Sequence, residues 1–159
     1  MKITLINPPY PPSVHSHPPF IPLGLAYLGA VAEKAGHQVK VIDCQAEKLN
    51  YETFRSRIAE TPSDFIGATS TTLLYKSAMK ILTIAKETQS NAVTALGGSH
   101  GTFWDENALK EYPAVDIIVR GEGENTIVEL AEKLEAGAKL ESVLGITYRD
   151  GEAIRRNPD

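Results

Sequence analysis

Cysteine is almost absent: among 159 residues only Cys44 carries a thiol. A disulfide within the chain is therefore excluded, and so is a Cys-rich zinc or iron–sulfur site built from this chain alone. No apolar run approaches the ~18 residues of a membrane span. The amino terminus, MKITLINPPYPP, has too short an apolar stretch for a signal peptide, so a reduced, cytoplasmic location is expected. A basic excess is lacking too. Sixteen Lys and Arg stand against 20 Asp and Glu, a formal charge of −4, which argues against a nucleic-acid surface. Neither a nucleic acid nor a membrane is expected as partner.

Familiar catalytic signatures are missing as well. There is no G-x-x-x-x-G-K-[ST] phosphate loop. A dinucleotide fingerprint should follow the first strand, but the one G-x-G is Gly121-Glu122-Gly123, far downstream. Ser99 stands beside His100 without the G-x-S-x-G context of a nucleophile elbow. His15-x-His17 has a chelating spacing, but a pair alone leaves a metal site incomplete.

What is present is an alternation of strands and helices. Strands are expected at 2–7, 38–43, 64–70, 92–96 and 115–120, rich in Val, Ile and Thr. Helices are expected at 23–35, 51–60, 76–90, 103–111 and 125–135. In the third of these, Ala78, Ile81, Leu82 and Ala85 form one 3.6-period face. Residues 145–148 and 153–156 read as a β-hairpin closed on an Asp-Gly turn. Five β/α units with mostly buried strands predict an α/β fold: a Rossmann-like (flavodoxin-like), doubly wound, five-stranded parallel sheet in the order 2-1-3-4-5, ending in a hairpin.

In such sheets ligands bind beyond the carboxyl ends of the strands, near the switch between strands 1 and 3. Residues 8–22 follow strand 1 and hold seven of the ten prolines, a stiff loop of unusual length. It ends in Pro22-Leu23-Gly24. Strand 3 is followed by Ser70-Thr71-Thr72, strand 4 by Gly97-Gly98-Ser99-His100-Gly101, and strand 5 by Gly121-Glu122-Gly123-Glu124. Small residues let a ligand approach the backbone, and hydroxyls can meet its polar edge. A phospho-acceptor receiver would carry Asp where Ser70-Thr71 stands. Asp43, ending strand 2, reads either as a contact to a ribose hydroxyl or as an ordinary solvated carboxylate. Cys44 reads as a small, half-buried residue.

The ordered set NPP…PPFIPLGLAYLGAVAEKAGHQVKVID, ATSTT, GGSHGTF, VRGEGENT and GITYRDGEAIRRNP resembles the N-terminal cobalamin-binding domain of cobalamin-dependent radical S-adenosylmethionine enzymes. It looks most like the subgroup of anaerobic magnesium-protoporphyrin IX monomethyl ester cyclases and radical methyltransferases. The resemblance implies that Pro22, Leu23 and Gly24 lie beside the corrin and that Ser70, Thr71 and Thr72 line the cofactor. It implies that Gly97 and Gly98 let the dimethylbenzimidazole tail thread along the sheet, and that Ser99 and His100 beside them also bind the cofactor. Gly121, Glu122 and Gly123 would close the pocket. It further implies a cofactor-binding domain over 1–140, with 141–159 a hairpin and the start of a linker to a radical S-adenosylmethionine domain. That domain would hold a 4Fe-4S cluster and S-adenosylmethionine. The chain by itself would bind cofactor without catalysing. Its cobalamin would be base-off, yet the D-x-H-x-x-G histidine that ligates cobalt in other cobalamin domains is missing, since Ile21 stands three residues before Gly24. The lower cobalt face would then carry water or no ligand, covered by Leu73, Leu74 or Tyr75, unless His15 or His17 folds back to it. Two other readings are a small nucleotide- or nucleotide-sugar-binding enzyme and a ligand-free flavodoxin-like interaction domain.

Overall fold

Strand β1 (Lys2–Asn7) is buried at five of its six positions. Ile3 and Leu5 point into one hydrophobic layer and Ile6 into the other, as expected of a central strand covered on both faces. In contrast β2 (Gln38–Asp43) buries one residue, Ile42, and lies at the sheet edge. The computed structural model describes residues 1–11, 13–14 and 20–159. His15 and His17 therefore lie outside the described residues.

The remaining elements are α1 (Leu23–Lys34), α2 (Tyr51–Ala59), β3 (Phe65–Thr69), α3 (Tyr75–Thr88), β4 (Val93–Gly97), α4 (Ser99–Phe103), α5 (Asp105–Glu111), β5 (Ile117–Val119), α6 (Glu124–Glu135), β6 (Ile146–Asp150) and β7 (Ala153–Arg156). Among the described residues the sheet runs β2-β1-β3-β4-β5-β6-β7. The first five strands pair in parallel, in the predicted order. The hairpin then extends the same sheet, β6 pairing antiparallel with β5. Gly151, at φ +61°, opens its two-residue turn with the backbone that glycine adopts readily.

Two apolar layers hold the sheet. Phe54 and Ile58 of α2 pack with Met79, Ile81 and Leu82 of α3 on one face. Leu25 and Ala32 of α1 pack with Ile127 and Leu130 of α6 on the other. Each fully buried Leu, Ile or Phe contributes about 1.5–3 kcal/mol. Local signals set the ends of the helices. Asn50 and Thr53 form a reciprocal capping box on α2. Gly36, at φ +94°, takes the left-handed position after α1, and the His37 N–H donates back to the Ala32 carbonyl.

The helix expected at 103–111 is two helices. Gly98, at φ +90°, turns the chain so sharply that α4 starts at once with Ser99, and the backbone breaks at Trp104 before α5. Among the described residues no helix is long and apolar enough to cross a membrane.

Candidate functional site

The start of α1, the end of β3 and the loops after β4 and β5 border a cleft of about 170 Å³ at the carboxyl edge of the sheet. Its mouth is formed by Gly24, Gly97, Gly98, Gly121, Glu122 and Gly123, six of the thirteen residues singled out in the sequence. The cleft runs down between the sheet and the helices α1 and α6. Leu5, Phe65, Gly67 and Ala95 make its sheet wall, and Leu25, Leu28, Ile127 and Leu130 its helix wall.

This apolar depth was missed by the sequence reading, which looked only at loops. One signal was available. Gly67 stands inside a strand, where glycine commonly marks a close backbone approach. A Cβ there would sit 3.3 Å from Leu5 Cδ2 and Phe65, so a larger residue would narrow the slot.

The glycines at the mouth differ in the room around them, a Cβ on Gly123 meeting Leu28 Cδ2 at 3.2 Å. A Cβ on Gly24, Gly97 or Gly121 would meet nothing within 4 Å. At these three positions a side chain would enter free space at the mouth. Gly98 is different. A Cβ there would lie 2.5 Å from the Ser70 carbonyl oxygen and 2.8 Å from its nitrogen. The protein itself needs that glycine, for its positive φ and for the close passage of β3 and β4.

Seven predicted residues fall outside the cleft wall. Pro22 caps the start of α1, and Leu23 is 62% exposed beside it. Thr71, Thr72 and Ser99 are exposed. His100 Nδ1 lies 3.2 Å from Thr72 Oγ1, and its ring rests 4.0 Å from that of Tyr75. This trio joins the β3 loop to α4. Ser70 is buried. Its N–H donates to the Gly97 carbonyl and its carbonyl accepts from the His100 N–H. Its hydroxyl has no hydrogen-bond partner among the described residues. An unpaired buried hydroxyl costs about 1–3 kcal/mol, which a polar ligand atom would relieve.

Other candidates resolve differently. Asp43 Oδ1 accepts from Asn7 Nδ2 at 2.9 Å and from the Gln45 and Ala46 N–H groups. It caps its own turn. Cys44 is fully rather than half buried. Burial, followed by the Glu47 and Asp43 carboxylates, pushes its thiol up to about 12, so it is inert. Of the three residues considered as a cobalt-facing cover, only Leu73 is exposed, at 54%. Leu74 and Tyr75 are buried. Burial first, with Glu111 and Tyr112 adding, raises the Tyr75 hydroxyl to about 12 and keeps it neutral. No group of three His, Cys, Asp or Glu that would hold a metal ion occurs among the described residues.

A slot with a glycine mouth, apolar walls and a hydroxylated rim suits a large ligand that has a flat apolar end and a polar periphery. The comparisons agree with that chemistry. The family model described as the B12 binding domain matches residues 14–131. An uncharacterized methyltransferase of Pyrococcus horikoshii is 36% identical over 163 residues, covering 99% of this chain and 35% of the relative. The anaerobic magnesium-protoporphyrin IX monomethyl ester cyclase of Rubrivivax gelatinosus is 34% identical over 165 residues, covering 97% and 29%. The chain thus spans about a third of the length of these relatives. Among solved structures, the radical S-adenosylmethionine methyltransferase TsrM of Kitasatospora setae, with cobalamin and a [4Fe-4S] cluster bound, superposes with a TM-score of 0.84 at 21% identity, over 99% of this chain and 28% of that one. The cobalamin-dependent radical enzyme OxsB, with aqua-cobalamin and S-adenosylmethionine bound, gives 0.80 at 23% identity, over 99% and 22%. At these identities the structural likeness shows the fold.

Proposed function

This chain belongs to the B12-binding domain family, matched over residues 14–131, and on that premise we propose that it carries a cobalamin at the carboxyl edge of its sheet, as the cofactor module of a radical S-adenosylmethionine methyltransferase or cyclase. The observation that carries the reading is the cleft. Gly24, Gly97 and Gly121 leave open space at its mouth, and its walls between the sheet and α1/α6 are apolar. A flat dimethylbenzimidazole fits such walls, and its burial is favourable by the ordinary hydrophobic effect. The cobalamin is then base-off, with the tail passing Gly97 and Gly121 into the slot.

The corrin lies over Pro22, Leu23 and Gly24. Ser70, Thr71 and Thr72, with Ser99 and His100, meet its polar periphery. Gly98 holds the β3 and β4 ends together beneath it. Gly121, Glu122 and Gly123 close the far side. Cobalamin supplies the methyl-carrying cobalt chemistry, and this chain's residues bind, orient and shield it. Leu73, the one exposed member of its trio, would serve as an apolar cover for the lower face. The residues beyond about 140 lead into a following domain in cis, which holds a 4Fe-4S cluster and S-adenosylmethionine. The setting is cytoplasmic, and catalysis needs that second domain.

The test is a titration with hydroxocobalamin, followed by gel filtration and a visible spectrum of the protein peak. Co-elution with a base-off spectrum is expected. Gly97→Leu, whose Cβ would meet no atom within 4 Å, should abolish co-elution while the variant remains folded. Unchanged binding in that variant, or a spectrum showing retained nitrogen ligation of cobalt, would overturn the arrangement.

A further inference from the structure

Among the described residues, Arg120 is the one Lys, Arg, Asp or Glu that is buried. It directly follows Val119 and precedes Gly121, both of which line the cleft. A buried guanidinium is tolerated only where its N–H groups are used and its charge is matched. Here almost every partner comes from the end of the chain. Nη1 donates to Thr147 Oγ1 at 2.6 Å, Nη2 to the Asn157 carbonyl at 2.6 Å, and Nε to Asp159 Oδ1 at 2.9 Å. Asp105 lies 3.7 Å away, accepts from the Thr147 hydroxyl at 2.7 Å and also pairs with Arg156.

The backbone follows the same route. The Arg120 N–H donates to the Gly145 carbonyl, and the Gly145 N–H donates to the Pro158 carbonyl. Asn157 is itself buried, its amide donating to the Leu140 and Val143 carbonyls at 2.7 Å. The Gly121 N–H in turn donates to Thr102 Oγ1. Asp159, however, is 73% exposed at its side chain. Of the groups that meet the buried cation, the Asp159 carboxylate is thus the most exposed.

We propose that Arg120 is a positioning residue that locks the 121–123 wall of the cleft to the segment 157–159, so that ligand occupancy and the placement of that segment are coupled. If the segment moves away, the buried cation keeps Thr147 and Asp105 but loses two of its three hydrogen-bonding partners and its nearest carboxylate, and the loop beside it must shift. If a ligand presses on the 121–123 wall, the lock is held. Coupling of this kind is reciprocal. The inference rests on the cobalamin reading for the identity of the ligand, though not for the lock itself.

The experiment measures amide hydrogen exchange at residues 121–123 without ligand, in the parent protein and in Asp159→Ala. That variant alters an exposed side chain and leaves the core intact. Exchange at 121–123 should rise by about tenfold, and Asp159→Asn, which keeps an oxygen acceptor, should restore part of the protection. Hydroxocobalamin affinity should fall about fivefold in Asp159→Ala. Glu141→Ala, a comparably exposed carboxylate away from Arg120, should change neither. Unchanged exchange at 121–123 would overturn the lock. Faster exchange with unchanged affinity would overturn its role in positioning the cleft. If the parent protein binds no cobalamin, the functional reading fails, and the exchange result alone decides the lock.

Discussion

The two edges of the sheet are built on opposite principles. At the amino edge, the polar groups of Asp116, Lys86, Thr94 and Gln89 are paired off, although His37 Nε2 is not. Asp116 Oδ2 accepts from Lys86 Nζ at 2.8 Å and from the Thr94 N–H at 2.8 Å, and Thr94 Oγ1 donates to the Ala114 carbonyl. Gln89 donates to the Ile58 and Thr61 carbonyls and accepts from the Ser63 N–H. These bonds staple the strand starts to the preceding loops. At the carboxyl edge, glycines leave open space, the Ser70 hydroxyl is unpaired, and Phe20, Ile21, Leu23, Leu73 and Phe103 are exposed. One edge spends its chemistry on itself; the other leaves it available.

The comparison can be broken most sharply at Gly98, which sits at the open edge but serves the fold. Gly98→Ala should destabilise by about 3 kcal/mol, because a Cβ must be fitted against the Ser70 backbone at a positive φ. Urea unfolding checks this, and a loss below about 1 kcal/mol would show that the strand ends part easily. Next comes the amino edge. Asp116→Ala should cost about 2–3 kcal/mol by leaving Lys86 and Thr94 without their shared acceptor. Cobalamin affinity should not change, as a titration of the folded variant would show.

Gly97→Leu sharpens the contrast from the other side. Its expected stability change is within about 0.5 kcal/mol, as for a surface substitution, while hydroxocobalamin co-elution is lost. Smallest is a pH effect at Asp105. Burial raises its carboxyl, but the Thr147 hydroxyl, the Glu106 N–H and Arg156 outweigh this and leave it below the ordinary value. A depressed carboxyl stabilises the folded state above its unfolded value, about 4, and that stability is lost as pH falls through the folded value. Asp105→Asn should therefore flatten the decline in stability below about pH 4, measured by thermal unfolding from pH 5 to 2.5.

The legibility of the fold follows the range of each signal. Strand and helix positions came through because β-branched runs, 3.6-period faces and glycine stops act within a few residues. Thus Lys2–Asn7 and Gln38–Asp43 match their expected bounds, and the strand order 2-1-3-4-5 is as expected. The helix at 103–111 was misread because the break at Trp104 answers to the packing of α4 on β4 and β5, which has no local code. In the cleft, the loop glycines were legible as turn and contact residues. Its walls were not, because Leu5, Ala95 and Ile127 read simply as core. Gly98 was legible as a glycine, but its reason was not, since the atoms it must clear belong to Ser70, far back in the chain.

By itself, then, the sequence determined the β/α alternation, the burial of the central strands, the hairpin, and which loops gather at the carboxyl edge. These depend on periodicity and turn chemistry, which are properties of neighbours. The tertiary structure alone decided that α1 and α6 leave a slot between themselves and the sheet at Gly67, and that Arg120 is neutralised by residues up to 39 positions away. Those outcomes depend on which side chains meet across the sheet. A linear pattern carries no distance between them until the chain has folded.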